Sequence, residues 1–214
     1  MKILYGTGNS AKLSHMRKRL EPLGLQIVGL SDLKVEIPRV EETGNSPLEN
    51  ARIKALAYYK AFKLPVFSCD SGLYFSGLPK ELQPGVHVRN INNKCLTDEE
   101  MIEYYSSLAE KYGDLEARYK NAICLVMKED EIYESMAEDL SGEKFIITCK
   151  PHEKREQGFP LDALSIHIPT GKYYYDIDNI EVDEVAIENG FVRFFRNVIE
   201  NEGITPYGEK SIRK

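Results

Sequence analysis

The sequence has few cysteines, and no two of them lie close together in the chain. Cys69, Cys95, Cys124 and Cys149 are the only four in 214 residues, and no CxxC motif occurs. This spacing excludes the paired-cysteine pattern of a structural zinc site and gives no disulfide framework. We therefore expect reduced thiols in a cytoplasmic protein.

Long apolar runs and long charge runs are also missing. No stretch approaches the roughly 18 to 20 consecutive apolar residues of a membrane span, and glycine interrupts the start, MKILYGTG, too early for a signal peptide. The 28 basic and 34 acidic residues give a net charge of −6, with neither sign gathered into a long run. Neither a membrane nor a nucleic acid is therefore expected as a partner.

The sequence does contain an alternation of short apolar runs and helical patterns. Strands are predicted at residues 3–7, 25–30 and 65–70, and helices at 10–21 and 47–62. This alternation predicts an α/β fold. The second helix has a capping-box pattern at its start, formed by Ser46, Pro47 and Glu49.

The rest of the chain has a different pattern. A helix is predicted at residues 97–113, three consecutive strands within 117–149 indicate an antiparallel section, and helical spacing returns at 183–203. A chain of 214 residues can form one large domain or two lobes around one core. Because no linker is visible, we predict a single domain of two lobes over residues 1–214, with a polar tail at 204–214.

A glycine-containing turn follows the first predicted strand. Gly6, Gly8 and Ala11 match the pattern G-x-G-x-x-G/A, and Asp32 follows the second strand at about the distance expected of a ribose-binding carboxylate. This pattern fits an NAD(P)-binding fold, and it also fits glycines that only permit a tight turn. Lys12 adds positive charge close to a helix N-terminus, where phosphate groups bind.

Acidic and basic residues recur around the next two predicted elements. Glu41 and Glu42 precede the capped helix, and Asn50 and Lys54 share one face of it. The stretch FSCDSGL, residues 67–73, is expected to end a strand. Asp70 would then lie at the carboxyl edge of the sheet, which is the usual ligand side of an α/β layer.

These segments together resemble the inosine triphosphate pyrophosphatase family, which acts on noncanonical purine nucleoside triphosphates. The motif T-G-N-x-x-K is met at residues 7–12, E-E-T-G at 41–44, E-N-A-x-x-K-A at 49–55 and D-S-G-L at 70–73. The resemblance implies a long, bent mixed β-sheet flanked by helices. It also implies two lobes with a central cleft that holds the active site, usually in a homodimer.

The resemblance further implies a reaction, the hydrolysis of a nucleoside triphosphate to the monophosphate and pyrophosphate with Mg²⁺ as cofactor. Glu42 and Asp70 match the metal-binding and catalytic carboxylates, with Asp70 as the candidate that orients or deprotonates the attacking water. The substrate-binding residues that the motifs imply in this half of the chain are Thr7, Gly8, Asn9, Lys12, Asn50, Lys54, Ser71 and Gly72.

The carboxyl-terminal half departs from the family pattern. The motif G-F-G-Y-D-P appears as GFPLDA, which keeps Phe159 for stacking on the base and Asp162 for binding it. The S-H-R motif that contacts the purine has no counterpart in AIENGFVRFF, and a charged segment, PHEKREQG, precedes GFPLDA. Nearer the phosphate motifs, Cys69 stands where the family has aspartate and His15 where glutamate is common. We therefore expect altered or relaxed base selection.

Two other functions are open on the sequence alone. The chain could be a nucleotide-binding family member with a changed substrate or lost catalysis, or a Rossmann-type oxidoreductase that uses NAD(P). Pyrophosphate release, nucleotide-dependent thermal stabilisation without turnover, and NAD(P) binding would distinguish the three functions.

Overall fold

The computed structural model describes residues 1–177 and 184–201, which fall into two compact units. The first unit comprises residues 1–71, 121–140 and 185–201, and the second comprises residues 72–120, 141–177 and 184. The predicted tail at 204–214 lies outside the described residues. Among the described residues, no helix is long and apolar enough to span a bilayer.

The first unit begins with parallel strands and two connecting helices. Strand β1 (Lys2–Tyr5) pairs in parallel with β2 (Gln26–Gly29) and with β3 (Val66–Phe75), so β1 lies between them. Helix α1 (Ser10–Leu20) connects β1 to β2, and helix α2 (Pro47–Phe62) connects β2 to β3. The predicted alternation and both predicted helices are confirmed.

The remaining elements follow in chain order. They are β4 (Asn90–Ile91), β5 (Lys94–Cys95), α3 (Asp98–Tyr112), β6 (Leu115–Lys128), β7 (Glu131–Ser135), β8 (Lys144–Ile147), β9 (Ser165–His167), β10 (Lys172–Tyr173) and α4 (Glu184–Asn201). Strand β6 pairs with β7 and with β8, β8 pairs with β9, and β9 pairs with β10, all antiparallel. Because β6 is also hydrogen bonded to β3, these strands form one mixed sheet with β1, β2 and β3, and the predicted antiparallel section is confirmed.

The start of α2 is fixed by the residues that the sequence indicated. Ser46 Oγ accepts a hydrogen bond from the N–H of Glu49 (3.2 Å), and Pro47 takes the first helical position. The carboxylate of Glu49 reaches back to the N–H of Asn45 (2.7 Å), one residue further than in the predicted capping box. This bond ties the loop before α2 to the helix.

Strand β3 is longer than the sequence predicted. The prediction ended this strand near Asp70, because Asp-Ser-Gly is typical of a turn. Instead β3 runs to Phe75 as the sheet neighbour of β6, and Leu73 also forms a β-bridge with Gly85. Asp70 therefore lies within the strand and not at its end, although it lies beyond Phe67, the last residue of β3 that pairs with β1.

The main core of the first unit combines aliphatic side chains with aromatic rings from two strands and a helix. The ring of Tyr5 stacks on that of Phe67 with 4.3 Å between centroids, and Phe195 of α4 packs edge-on against Phe67 at 5.1 Å. Leu13 and Met16 of α1 are buried in the same cluster. This packing fixes α1, and with it the turn that precedes it.

Candidate active site

The turn between β1 and α1 is held by two side-chain hydrogen bonds. Asn9 Oδ1 accepts a bond from the N–H of Lys12 (3.1 Å), as an N-cap does, and Thr7 Oγ1 accepts one from the N–H of Asn9 (3.2 Å). Lys12 is exposed in the first turn of the helix. The ammonium of Lys12 and the partial positive charge of the helix N-terminus both favour an anion here.

The two glycines of this turn have different surroundings. A Cβ on Gly6 would lie 2.3 Å from Ser68 Oγ and 2.6 Å from the ring of Tyr58, so the packing requires glycine. A Cβ on Gly8 would meet nothing within 4 Å. The backbone at Gly8 is thus open to a ligand.

The carboxylate of Asp32 is engaged within the protein. It accepts a hydrogen bond from the N–H of Gly29 (2.7 Å) and pairs with the guanidinium of Arg17. The bond from Gly29, together with the charge of Arg17, holds the pKa of Asp32 below its usual range. The group that an NAD(P) site would need for a ribose hydroxyl therefore closes the loop after β2.

Lys54 is the centre of an ion-pair network. Its Nζ donates to Glu42 Oε2 (2.8 Å) and to Asp70 Oδ1 (2.9 Å). The side chains of Lys54 and Asp70 are 13% and 16% exposed, whereas that of Glu42 is 44% exposed. Burial alone would lower the pKa of Lys54, but the bonds to Glu42 and Asp70 outweigh it and raise the pKa. The charged ammonium of Lys54 thus holds the carboxylates of Glu42 and Asp70 close together.

Asn50 connects the loop before α2 to the same aspartate. Its Oδ1 accepts a hydrogen bond from the N–H of Gly44 (2.8 Å), and its Nδ2 donates to Asp70 Oδ2 (3.1 Å). Asn50 is buried at 4% exposure. Each oxygen of Asp70 therefore accepts a bond from α2, and the predicted shared face of Asn50 and Lys54 is confirmed.

Ser71 has a partner that the sequence did not indicate. Its Oγ donates to Asn121 Oδ1 (2.7 Å), and Asn121 Nδ2 donates to the carbonyl of Leu140 (2.6 Å). Asn121 lies in β6, 50 positions along the chain from Ser71. No local motif surrounds it, so only the pairing of the strands reveals its place.

The other three predicted site residues belong to the second unit. A Cβ on Gly72 would lie 3.0 Å from the backbone of Gly85, which gives this glycine a packing role. Phe159, with 57% exposure, and Asp162 line one cavity of about 240 Å³. Desolvation raises the pKa of Asp162, and the charge of Glu156 adds to the rise.

Known proteins are similar to this chain over most of its length. The model of the Ham1 family matches residues 3–175. The chain belongs to the Ham1 family. This membership confirms the family resemblance that the four motifs of the first 90 residues indicated.

Ham1 family relatives match along most of the chain. The dITP/XTP pyrophosphatase of Mannheimia succiniciproducens is 28% identical over 189 residues, which are 86% of this chain and 91% of the relative. The dITP/XTP pyrophosphatase of Leptospira interrogans is 32% identical over 182 residues, or 85% and 88%. A HAM1 protein from Coxiella burnetii has the same fold, with a TM-score of 0.72 at 24% identity over 94% of this chain and 99% of that one.

Two carboxylates of this Ham1 family protein have the chemistry that a magnesium ion requires. Within the described residues, no three Asp, Glu, His or Cys side chains converge as a metal site. Glu42 and Asp70, which share the Nζ of Lys54, are hard oxygen donors. Mg²⁺ commonly takes one or two carboxylates and completes its shell with phosphate and water oxygens. The two residues therefore fit Mg²⁺ that binds together with a triphosphate.

Replacement of Asn50 by alanine is expected to damage both stability and activity in this Ham1 family chain. The change leaves the buried N–H of Gly44 without its partner and frees Asp70 Oδ2, so we expect a loss of about 1–3 kcal/mol in the free energy of unfolding. Ser46→Ala is a matched control at the same junction, because it costs about 1 kcal/mol through the helix cap alone. Urea unfolding and kcat of both variants check this, and equal kcat values would contradict a positioning role for Asn50.

Proposed function

We propose that the chain hydrolyses a noncanonical purine nucleoside triphosphate, such as dITP or XTP, to the monophosphate and pyrophosphate. The names of its Ham1 family relatives support this substrate class. We further propose Mg²⁺ as the cofactor, a homodimer as the assembly and the cytoplasm as the location. These three proposals follow from the family resemblance, and the donor set of Glu42 and Asp70 supports the first of them.

The ion-pair network around Lys54 gives this proposal its main support. Its ammonium holds Glu42 and Asp70 together, and Asn50 fixes the second oxygen of Asp70. Lys12 and Ser71, from two of the phosphate motifs, line one cavity in the same unit. Two carboxylates, two lysines and a helix N-terminus in one unit suit a substrate that carries several phosphates.

Each residue then has a proposed role. Lys12 binds phosphate oxygens through its ammonium, and Thr7, Gly8 and Asn9 approach them with neutral groups. Ser71 joins them when its hydroxyl turns from Asn121 to the phosphate. A bound magnesium ion would supply charge neutralisation on the triphosphate.

Asp70 is the proposed catalytic carboxylate. It accepts one bond at each oxygen, and a carboxylate has further lone pairs, so it can also accept a proton from the attacking water and orient it. Glu42 is more exposed than Asp70 and shares the metal. Lys54 keeps the two carboxylates from repelling each other before the substrate arrives.

The base is proposed to contact the second unit. Phe159 offers an exposed ring for stacking, and Asp162 offers a carboxylate in the same cavity. No S-H-R motif supplies donors to the 6-keto edge of a purine, so the site has less means of rejecting adenine.

A panel of nucleotides tests the reaction. With Mg²⁺ present, we expect pyrophosphate and not orthophosphate as the first product from dITP or XTP, and we expect excess chelator to stop its release. We also expect a smaller preference for these substrates over ATP and GTP than in relatives that carry S-H-R. Orthophosphate as the first product, or full activity in chelator, would contradict the proposal.

The same panel addresses the second candidate function. A family member that has lost catalysis would raise its Tm with nucleotide but release no pyrophosphate. The NAD(P) oxidoreductase is not supported, because the carboxylate of Asp32 is already bonded to Gly29 and Arg17.

A further inference from the structure

A small cavity in the first unit is lined by basic side chains that the proposed catalytic roles use only in part. It measures about 180 Å³, and the residues around it include Tyr5, Lys12, His15, Arg19, Ser71 and Asn121. Pockets that hold a whole drug-sized molecule measure roughly 300 Å³ or more. This cavity therefore suits a small group and not an entire nucleotide.

The basic residues of the cavity all come from one face of α1. Lys12, His15 and Arg19 are spaced by three and then four positions, which places them in a row along the helix. None of the described residues that line the cavity is acidic. Basic side chains gathered along one helix face of a cavity attract an anion.

Apart from the basic residues of α1, the cavity is lined by neutral side chains. Ser71 and Asn121 are hydrogen bonded to each other, and Cys69 contributes a thiol where the resembled motif has an aspartate. Burial raises the pKa of Tyr5 far above its usual range, and the nearby charge of Arg19 offsets only part of the rise, so the hydroxyl stays neutral. None of these lining residues is acidic, although the charge of Asp70 reaches Tyr5 and Cys69.

We propose that Lys12, His15 and Arg19 form one polyphosphate subsite, which holds the pyrophosphate portion of the substrate and then the pyrophosphate product. The inference rests on the proposed function, and it adds His15 and Arg19 to the phosphate-binding residues. A guanidinium can bind two phosphate oxygens at once. Arg19 is therefore the member expected to contribute most after Lys12.

Binding of inorganic pyrophosphate tests the subsite without turnover. Isothermal titration in excess chelator should give binding to the wild type, about 10-fold or greater weakening in Arg19→Gln, and a smaller weakening in His15→Gln. Lys18→Gln is the matched control, since Lys18 lies on α1 but does not line the cavity. Melting temperatures within a few degrees of the wild type would show that the variants are folded.

Steady-state kinetics separate this inference from the proposed function. Arg19→Gln should raise KM for the triphosphate more than it lowers kcat, because phosphate charge is present in ground and transition states alike. Pyrophosphate binding that depends on Arg19, without hydrolysis of any triphosphate, would support the subsite and overturn the proposed function. Hydrolysis together with pyrophosphate affinity unchanged in both variants, or no pyrophosphate binding to the wild type, would overturn the subsite.

Discussion

Replacement of Asp70 by asparagine is expected to lower kcat about a thousandfold and to leave nucleotide affinity within a few-fold of the wild type. Asparagine is nearly isosteric with aspartate but lacks the charge and basicity that metal binding and water activation need. Both oxygens of Asp70 accept bonds, from Lys54 and Asn50. The amide can keep only one of these two contacts, so a modest fall in Tm should accompany the loss of turnover.

The Asp70→Asn experiment needs a control for the loss of a bonded carboxylate. Asp32→Asn serves, because Asp32 also accepts a backbone N–H and pairs with a cation in the first unit, but it belongs to the loop after β2. Asp32→Asn should lower Tm and keep kcat. Pyrophosphate release measures kcat, and nucleotide titration of the inactive variant measures affinity. If Asp70→Asn kept near wild-type turnover, Glu42 or Glu41 would have to be the catalytic carboxylate.

Replacement of Lys54 by methionine is expected to have the second large effect, on stability as well as on activity. The change leaves Glu42 and Asp70 close together without the ammonium that both contact. Removing one partner of a buried pair costs about 3–5 kcal/mol, and the exposure of Glu42 reduces the expected loss here to about 2 kcal/mol. We expect kcat/KM to fall by about a hundredfold or more, because a cation that we expect to contact the substrate is also lost.

The difference in the free energy of unfolding between wild type and Lys54→Met should decrease at high pH. The pKa of Lys54 is raised in the folded protein above its ordinary value of 10.5. Its stabilisation is therefore complete below pH 10.5 and is lost as the pH rises through the folded-state pKa. Urea unfolding of wild type and Lys54→Met should give a constant difference from about pH 7 to 9 that shrinks above pH 10.5.

Arg52→Met is the control for the lysine variant, because Arg52 lies on the same helix and pairs with Glu134 at 3.2 Å while its side chain is 52% exposed. Its loss should cost about 0–1 kcal/mol and leave catalysis unchanged. A Lys54→Met protein as stable and active as Arg52→Met would mean that the network around Lys54 does not organise the site.

The sequence predicted the elements whose signals are local. Helix α2 begins at Pro47 as expected, because its cap and first turn are encoded in consecutive residues. The end of β3 was placed wrongly, since Asp-Ser-Gly has turn chemistry whereas the pairing of β3 depends on β6, which lies further along the chain. Local signals define where helices start, and they do not show which strand a polar stretch will pair with.

In the candidate site, too, the residues with local sequence signals were predicted and those that depend on strand pairing were not. The spacing of Asn50 and Lys54 predicted a shared face, and both side chains contact Asp70. Asn121 could not be predicted, because no motif surrounds it and its partner lies 50 positions away. Arg19 could have been found, since it lies seven positions after Lys12, but its charge alone is typical of an exposed helix face.

Gly6 and Gly8 lie in one turn, but different factors prevent their replacement during evolution. At Gly6 the side chains of Ser68 and Tyr58 fill the space of a side chain, so a lineage that keeps these two residues must keep this glycine. At Gly8 the protein leaves the space empty. Selection there can come only from what enters the turn, so a descendant that ceased to bind phosphate would be free to lose Gly8 while it retained Gly6.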